Sequence, residues 1–373
     1  MPFKARCTLL MMLFWILILI WWTQRKDQFI HLRDSNQNAV LYPEDDFWRR
    51  SDRIQSQLDY RPSNESDGHT YTIYEPHSSG VQKVTLVKDC HVICYVSSFD
   101  SHISTADVLL FNTEFMELPA ERKKLDQIWI LLLLESPPNT VSLVDWNDKI
   151  NYTSSYRMDS DFVSPYGRYV RRKGNENNTD LFIQKKRAVA WAVSHCFTHN
   201  QRLKYAHKLK EHIQVDIIGE CGNGRMSQNE FEKALKHDYM FYLAFENSNC
   251  REYITEKFWE NALKNYAVPI VMGPSKEDYL AVAPPNSFIH IDDFASPGDL
   301  AMYLNYLYEN RNAYAKYHEW RNEGFIADSS LHCRICNLIQ RPRHKTYSDI
   351  EKWWHGKKDC LKESRKDYWR FVQ

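Results

Sequence analysis

The stretch FYLAFENSNCREYITEKFWENALKNYAVPIVMG, residues 241–273, decides the fold that this sequence predicts. It opens with a short apolar run, 241–245, which is typical of a strand buried on both faces. A polar segment follows, and Thr255 is the expected N-cap of an amphipathic helix that leads into a second apolar run, 267–272. The order strand, helix, strand predicts a parallel sheet of the α/β class.

The polar residues of this stretch stand where such sheets bind ligands, just beyond the carboxyl end of a strand. A helix that begins near Thr255 would offer free N–H groups and the positive end of its dipole to a diphosphate. Lys257 would add a full positive charge there, with Glu256 beside it. On helix statistics alone both residues would be solvated, so their interpretation as a site depends on the whole string.

Further short apolar runs alternate with amphipathic stretches outside this segment. They lie at residues 92–96, 108–111, 128–134, 189–193 and 215–218. The charged stretch 171–176 divides the runs into two sets, and 373 residues exceed what one hydrophobic core usually serves. The sequence therefore predicts an α/β protein with two Rossmann-like domains, 76–180 and 181–345, that face each other across a cleft.

The N-terminal residues are predicted to lie outside these domains. Residues 7–24 carry no charge, span a thin bilayer and end in two tryptophans, which suits a membrane anchor better than the alternative of a cleaved signal peptide. The basic residues before them favour a cytoplasmic tail at 1–6. Residues 25–75 are polar without an apolar period, which predicts a stem, and residues 346–373 form a C-terminal extension.

Composition agrees with a lumenal protein. The 48 Lys plus Arg residues balance 48 Asp plus Glu, which argues against nucleic acid as a partner. Aromatic residues are abundant, and their rings can stack on sugar faces. Acceptor sequons begin at Asn64, Asn151 and Asn177, and the eight cysteines beyond Cys7 suggest disulfides in an oxidising compartment.

The string at 241–273 closely resembles the donor-binding signature of the α1,3-fucosyltransferase family, in which a strand ending in FEN precedes a YITEK helix start and a VP-containing strand. Further segments resemble family motifs between about residues 90 and 340. They are LESP at 134–137, YRMDSD at 156–161, PYG at 165–167 and the basic stretch QRLKY at 201–205. The resemblance implies a GT-B fold and transfer of fucose from GDP-β-L-fucose with inversion, in the Golgi lumen.

The resemblance also implies roles for particular residues. Glu135 would be the base that takes the proton of the acceptor hydroxyl, although a structural carboxylate at a strand end is the alternative. The implied donor-binding residues are Arg202, Asn247, Tyr253, Glu256 and Lys257. The two cations would neutralise the pyrophosphate, while the other three would contact the donor or support the nucleotide. Arg202 depends most on the family match, because it lies in a basic stretch that could equally be solvated.

The sequence Asp159-Ser160-Asp161 leaves a second mechanism open. In a different class of glycosyltransferase, a DxD motif holds a divalent metal beneath the nucleotide. Here we interpret Arg157, Asp159 and Asp161 as structural or acceptor-side residues, since the YITEK helix already supplies positive charge. No metal cofactor is expected to be required, and a divalent ion would at most stimulate the reaction.

The family's C-terminal CxxC, which bonds to N-terminal cysteines, implies disulfides between the pair Cys90 and Cys94 and the pair Cys333 and Cys336, with the partners left open. A third bond, Cys196 with Cys221, is a further prediction. The tail at 353–360 resembles that of invertebrate core α1,3-fucosyltransferases, which favours the core GlcNAc of N-glycans over peripheral N-acetyllactosamine as acceptor.

The expected partners are therefore GDP-fucose, a glycoprotein N-glycan and the Golgi membrane, with the oligomeric state left open. A carbohydrate-binding protein without catalytic activity is the alternative from another class.

Overall fold

The computed structural model of the chain describes residues 40–45, 49, 51–61, 69–77, 80–112, 119, 124–172, 184–222, 224–356 and 359–361. The predicted anchor at 7–24 and the sequons at Asn64 and Asn177 lie outside these residues. Among the helices within the described ranges, none has both the length and the hydropathy to cross a bilayer.

Two parallel sheets dominate the fold. The strands are β1 Tyr71–Tyr74, β2 Val84–Leu86, β3 Cys94–Ser97, β4 Val108–Asn112, β5 Ile128–Leu133, β6 Tyr152–Ser155, β7 Phe162–Val163, β8 Arg168–Arg171, β9 Arg187–Ala192, β10 Val215–Ile218, β11 Tyr239–Phe245, β12 Asn249–Cys250, β13 Val268–Met272, β14 Ile289–His290, β15 Gly324–Ala327 and β16 Cys360–Leu361. The first sheet has the order β2-β3-β1-β4-β5-β6-β7, with only the β2–β3 pair antiparallel. The second has the order β10-β9-β11-β13-β14, and all its pairs are parallel. This confirms the predicted α/β class, and each apolar run of the sequence contributes a strand.

Helices cover both sheets. The α-helices are α1 Arg53–Asp59, α2 Arg202–Lys210, α3 Gln228–His237, α4 Lys276–Val282, α5 Pro297–Glu309, α6 Arg311–Ala315, α7 Leu331–Ile339 and α8 Ile350–His355. A π-helix spans Lys257–Lys264, and short 3₁₀ turns lie at Asp100–His102, Pro137–Asn139, Val144–Trp146, Ile291–Asp293 and Lys316–Asn322. Serine side chains cap α3, α4 and α5 at their N-termini, as sequence rules for helix starts would predict.

The second sheet is the better template for ligand binding. Its strands, counted from β9, follow the doubly wound order 2-1-3-4-5. In this order, successive strands are added on one side of the first strand and then on the other, so the strand order reverses between the first and third strands. That switch point lies between the carboxyl ends of β9 and β11. The entire strand β11 is buried, which explains its uninterrupted apolar sequence.

The predicted stem is partly wrong. Helix α1 and the central strand β1 both lie in the folded body, although they fall within residues 25–75. The sequence did not predict helix α1, because the side chains that this helix buries include polar ones. Arg53 and Gln57 are almost fully buried, and Gln57 accepts a hydrogen bond from Arg334 of α7 at 2.9 Å. An apolar period is therefore absent from the sequence there.

The predicted domain boundary at residue 345 also needs correction. Helix α7 packs into the core of the first sheet, so the chain returns to its N-terminal half before that residue. Disulfides fix this return, because Cys90 bonds to Cys333 and Cys94 bonds to Cys336. These are the partners that the sequence left open.

Two further disulfides stabilise the second half. Cys196 bonds to Cys221, as the sequence suggested, and Cys250 bonds to Cys360, which the sequence did not suggest. The sequon at Asn151 lies inside the fold. Its amide oxygen accepts from the backbone of Trp129 at 2.8 Å, its amide nitrogen donates to the carbonyl of Lys345 at 2.9 Å, and Thr153 is fully buried. This environment disfavours a glycan at Asn151.

Candidate active site

A cavity of about 470 Å³ lies at the switch point of the second sheet. Its walls come from the residues that follow β9 and β10, from the start of α3 and from the start of the π-helix. The lining residues include Ser194, Gly219, Arg225, Glu256 and Lys257. The cavity therefore stands at the carboxyl ends of parallel strands, where the sequence predicted a nucleotide.

Lys257 is, with Arg225, one of the two cationic side chains among the described residues that line this cavity. Its Nζ lies 3.2 Å from a carboxylate oxygen of Glu246, 2.9 Å from Glu256 and 2.9 Å from the hydroxyl of Thr255. Burial would lower the pKa of Lys257, but the two carboxylates raise it above its usual range. Lys257 therefore carries its charge at any physiological pH, at the edge of the cavity.

Glu246 is the fully buried counterpart of this cation. Its carboxylate accepts hydrogen bonds from the backbone N–H of Thr255 at 2.8 Å and from the Thr255 hydroxyl at 2.9 Å. Burial raises the pKa of Glu246, and Lys257 opposes that rise. The sequence placed Glu246 at the end of the strand but gave it no role. A carboxylate after a buried strand, eleven residues before a lysine at a helix start, is the signal that could have identified it.

The start of the helix differs from the prediction. The expected N-cap, Thr255, donates its hydroxyl to Glu246, and Glu256 occupies the position before the first residue of a π-helix. The backbone N–H groups of Phe258 and Trp259 both point to the carbonyl of Thr255. π-helical turns often occur at functional sites, and this one brings Lys257 back over the end of β11.

Arg202 does not face the cavity as an open cation. It is 3% exposed, and it donates to the carbonyl of Phe245 at 2.6 Å and to that of His195 at 3.1 Å. The two carbonyls follow β9 and end β11, so Arg202 bridges the two strands on either side of the switch point. Arg202 is not among the residues that line the cavity.

Glu135 lies where the two sheets meet. It follows β5 of the first sheet, and its Oε1 accepts from the backbone of Ser136 at 2.6 Å and from the Tyr253 hydroxyl at 2.7 Å. The Asn247 amide nitrogen lies 3.2 Å from Oε1 and 3.4 Å from Oε2. The structure thus brings Glu135 together with Asn247 and Tyr253, which are both more than 100 residues away from it in sequence.

The two oxygens of Glu135 have different surroundings. Oε1 takes the short hydrogen bonds, whereas Oε2 accepts only the long bond from Asn247 among the described residues. A cavity of about 230 Å³ adjoins the carboxylate and is lined also by Asn112, Thr140 and Tyr166. Oε2 is therefore the oxygen that can accept a proton from a hydroxyl bound in this cavity.

Hydrogen bonding keeps Glu135 ionised. Burial would raise its pKa, but the N–H of Ser136, the hydroxyl of Tyr253 and the amide of Asn247 together bring the pKa below its ordinary value. The sequence did not predict the contributions of Ser136 or Tyr166. Tyr166 donates to the carbonyl of Leu134 at 2.8 Å and so fixes the strand end that presents Glu135.

The DxD residues are held apart by structural partners. Asp159 accepts two hydrogen bonds from Arg157, at 2.7 and 2.9 Å. Asp161 is fully buried and is bonded to Lys345 at 2.5 Å and to Tyr347 at 2.9 Å. No group of three or more His, Cys, Asp or Glu side chains with the geometry of a metal site occurs within the part of the chain that the structure describes.

Sequence comparison places two family profiles on the chain. Residues 182–353 match "Glycosyltransferase family 10 (fucosyltransferase) C-term", and residues 68–167 match "Fucosyltransferase, N-terminal". Between them they cover both sheets described above, and each contains one part of the site: Glu135 lies in the N-terminal match and Lys257 in the C-terminal match.

Individual relatives agree with these profiles. The chain is 38% identical over 341 residues to glycoprotein 3-alpha-L-fucosyltransferase A of Drosophila melanogaster, which covers 85% of this chain and 68% of that protein. It is 36% identical over 273 residues to alpha-(1,3)-fucosyltransferase 7 of Rattus norvegicus, covering 70% of this chain and 72% of the relative.

Among solved structures, an alpha1,3-fucosyltransferase with GDP superimposes with a TM-score of 0.51 at 13% identity. It covers 79% of this chain and 97% of the other. At that identity the superposition supports the fold.

Proposed function

Because the chain belongs to glycosyltransferase family 10, the fucosyltransferases, we propose that it transfers L-fucose from GDP-β-L-fucose in α1,3 linkage to GlcNAc of glycoprotein N-glycans. The names of its relatives support the donor class and the linkage. One geometric observation carries the proposal for this chain: Glu135 is held by Asn247 and Tyr253 at the meeting of the two sheets.

The donor binds in the cavity at the switch point. Lys257 faces the diphosphate, so positive charge is in place where negative charge develops as GDP departs. Glu256 lines the same cavity and supplies acceptor oxygens for sugar hydroxyls. Arg202 has an indirect role, because its hydrogen bonds to Phe245 and His195 join the ends of β9 and β11.

The reaction is a single displacement. The acceptor hydroxyl binds beside Oε2 of Glu135, which takes its proton while the hydroxyl oxygen bonds to C1 of fucose. The bond between C1 and the β-phosphate oxygen breaks, and its electron pair leaves with GDP. Attack from the opposite face converts the β-linked donor to an α-linked product. The pKa of Glu135, below its usual range, keeps the base ionised in an acidic lumen.

The acceptor we propose is the innermost GlcNAc of an N-glycan. Support comes from the relative named a glycoprotein 3-alpha-L-fucosyltransferase and from the resemblance of the tail at 353–360 to invertebrate core enzymes. The same proposal places the chain in the Golgi membrane as a single-pass protein with residues 7–24 as its anchor and the catalytic body in the lumen.

The direct test is transfer by the full chain in detergent, with GDP-fucose, an N-glycan carrying an accessible core GlcNAc, and N-acetyllactosamine as separate acceptors. Product linkage is read by mass spectrometry and specific fucosidases. Transfer to the core acceptor is expected, with less than a twofold change on adding EDTA. Transfer to N-acetyllactosamine alone would overturn the acceptor assignment, loss with EDTA would overturn the metal-free mechanism, and donor binding with no transfer to either acceptor would overturn the function.

A further inference from the structure

The described part of the C-terminal extension, residues 346–356 and 359–361, is called the C-terminal strap below. It contains α8 and β16 and lies against the first sheet, where Ile350 and Trp354 are fully buried. Its last residues reach the segment that joins β11 to the π-helix. That segment carries Asn247 and Tyr253, which are the two contacts of Glu135 from the second sheet.

The strap and this segment are joined covalently and through the backbone. Cys250 bonds to Cys360, and the same two residues face each other in the antiparallel pair formed by β12 and β16. The N–H of Arg251 also donates to the carbonyl of Asp359 at 2.8 Å. Two successive residues shortly before Tyr253 are therefore fixed to the strap: Cys250 by its disulfide and Arg251 by its backbone hydrogen bond.

Charged side chains reinforce the junction. Arg251 donates to both carboxylate oxygens of Asp359, at 3.2 and 3.3 Å, and lies 3.6 Å from Asp159. The buried guanidinium of Arg157 lies 3.6 Å from Asp359 and holds Asp159 in turn. The two arginines and two aspartates alternate in charge, so each guanidinium has a carboxylate on either side, and a charge network of this kind specifies one geometry.

Aromatic packing carries the contact from the strap to the carboxylate. Trp354 of α8 lies 5.9 Å from the ring of Tyr156, and Tyr156 lies 5.0 Å from the ring of Tyr253. The hydroxyl of Tyr253 then donates to Glu135 at 2.7 Å. The three rings belong to one buried cluster, so a shift of Trp354 is transmitted to the donor of this hydrogen bond.

The backbone just before Tyr253 requires such support. Glu252 has φ of +62°, a conformation that a residue with a side chain rarely adopts. Its carboxylate accepts from the backbone of Met158 at 2.8 Å and from Arg251 at 3.0 Å, so the strained turn is anchored to the first sheet and to the charge network. Strain of this kind persists only where surrounding contacts hold it.

We propose that the C-terminal strap is a positioning element for the reaction, in which Cys360 and Asp359 hold Tyr253, and through Tyr253 the carboxylate of Glu135, in the geometry that accepts the acceptor proton. The inference rests on the proposed function and assigns to the extension a role in turnover. Neither the strap nor Tyr253 lines the donor cavity, although the family resemblance implied a donor contact for Tyr253. The strap therefore acts on the chemical step and leaves GDP-fucose binding unchanged.

The first test compares two disulfide removals in the full chain. In Cys250→Ser/Cys360→Ser, kcat is expected to fall about 10- to 100-fold, because displacing a catalytic group by up to about 1 Å has an effect of this size. The KM for GDP-fucose is expected to stay within about twofold of wild type. The matched control is Cys90→Ser/Cys333→Ser, which opens a disulfide of the first sheet. It is expected to lower thermal stability and leave kcat unchanged.

The second test keeps the disulfide and changes one charge. Asp359→Asn is expected to lower kcat at constant KM, and Asp359→Glu is expected to recover most of the loss. This pair decides the matter if the double serine variant does not fold. The proposal would be overturned if Asp359→Asn had the same kcat as wild type. It would also be overturned if Cys90→Ser/Cys333→Ser lost as much kcat as Cys250→Ser/Cys360→Ser does.

A pH profile separates positioning from general stability. When Tyr253 moves away, Glu135 loses a donor that lowers its pKa, so the acidic limb of kcat/KM is expected to shift to higher pH in Asp359→Asn. The other ionisable groups that face Glu135 are Tyr156, Tyr166 and Arg202, and none of them titrates in the acid range. An unshifted limb would contradict the proposal. Absence of transfer by the wild-type chain would instead overturn the proposed function, and the inference with it.

Discussion

The cluster around Lys257 and the network around Glu135 are built in opposite ways. The Lys257 cluster draws its partners, Glu246, Thr255 and Glu256, from twelve consecutive residues that end one strand and start one helix. The Glu135 network draws on both sheets and is backed by the C-terminal strap more than 200 residues away. One site is local in sequence, and the other exists only after the chain has folded.

This difference matches the tasks proposed for the two sites. A diphosphate needs positive charge, which Lys257 at a single strand-to-helix junction supplies. Proton transfer from the acceptor hydroxyl needs a base placed to within a fraction of an ångström, which requires contacts from several directions. The local site can therefore tolerate distant changes that would disable the non-local one.

The largest effect is expected from the non-local site. Glu135→Gln keeps the shape of the side chain but cannot accept the acceptor proton, so kcat should fall by about 10²- to 10⁴-fold while GDP still binds. Steady-state kinetics and calorimetric titration with GDP measure the two quantities. Asp126→Asn, which changes a carboxylate that is 77% exposed, serves as the control. Near-normal turnover of Glu135→Gln would remove Glu135 from the role of base.

A smaller effect, on a different quantity, is expected from the local site. Lys257→Ala removes the charge that faces the diphosphate, and charge-assisted hydrogen bonds of this type correspond to a loss in GDP affinity of about 10- to 100-fold. Lys264→Ala, at the exposed end of the same π-helix, should bind GDP as wild type does. Unchanged GDP affinity in Lys257→Ala would show that the comparison has assigned the wrong task to this cluster.

The smallest effect concerns stability. Burial raises the pKa of Glu246 in the folded state, so the folded protein holds this proton to higher pH than the unfolded chain does. The free energy of unfolding should therefore fall as pH rises from the unfolded pKa through the raised folded value, by up to about 1.4 kcal/mol per pH unit. Glu246→Gln cannot titrate and should lack this component.

Urea unfolding of wild type and Glu246→Gln at a series of pH values from 4 to 7 measures the difference. Parallel curves for the two proteins would mean that Lys257 fully offsets the burial of Glu246. The local cluster would then be balanced in charge at every pH in the range, and no part of its stability would depend on protonation.

The same contrast explains what the sequence could predict. The strands were predictable because buried parallel strands are continuous apolar runs. The position of Lys257 at a helix start after a buried strand was predictable because those residues are contiguous, but the role of Glu246 was not predicted. The contact of Glu135 with Tyr253 was not predicted, because the family resemblance implied a base role for one and a donor contact for the other, and nothing local to either residue indicates the other. The bond between Cys250 and Cys360 was missed because an even number of cysteines does not determine their pairing.

Burial of polar groups explains one wrong prediction, the stem, and one alternative that the sequence left open, the DxD metal site. Helix α1 was predicted as part of a stem because Arg53 and Gln57 are polar, yet both are buried through hydrogen bonds to distant backbone and side-chain groups. Asp159 and Asp161 formed a motif typical of metal sites, yet arginine, lysine and tyrosine partners engage them. In both cases, burial of polar groups gave a pattern that sequence rules read as exposure or as a ligand site.

Helix α1 also has a practical consequence for producing a secreted, anchor-free reagent. Truncation just before β1 would delete Gln57, whose oxygen accepts the hydrogen bond of the fully buried Arg334 guanidinium. Loss of a hydrogen bond to a charged group costs about 1.5 to 3 kcal/mol, and the cost is high here because the guanidinium is buried. Expression boundaries belong upstream of residue 40, so that a truncated form of the enzyme retains its first helix.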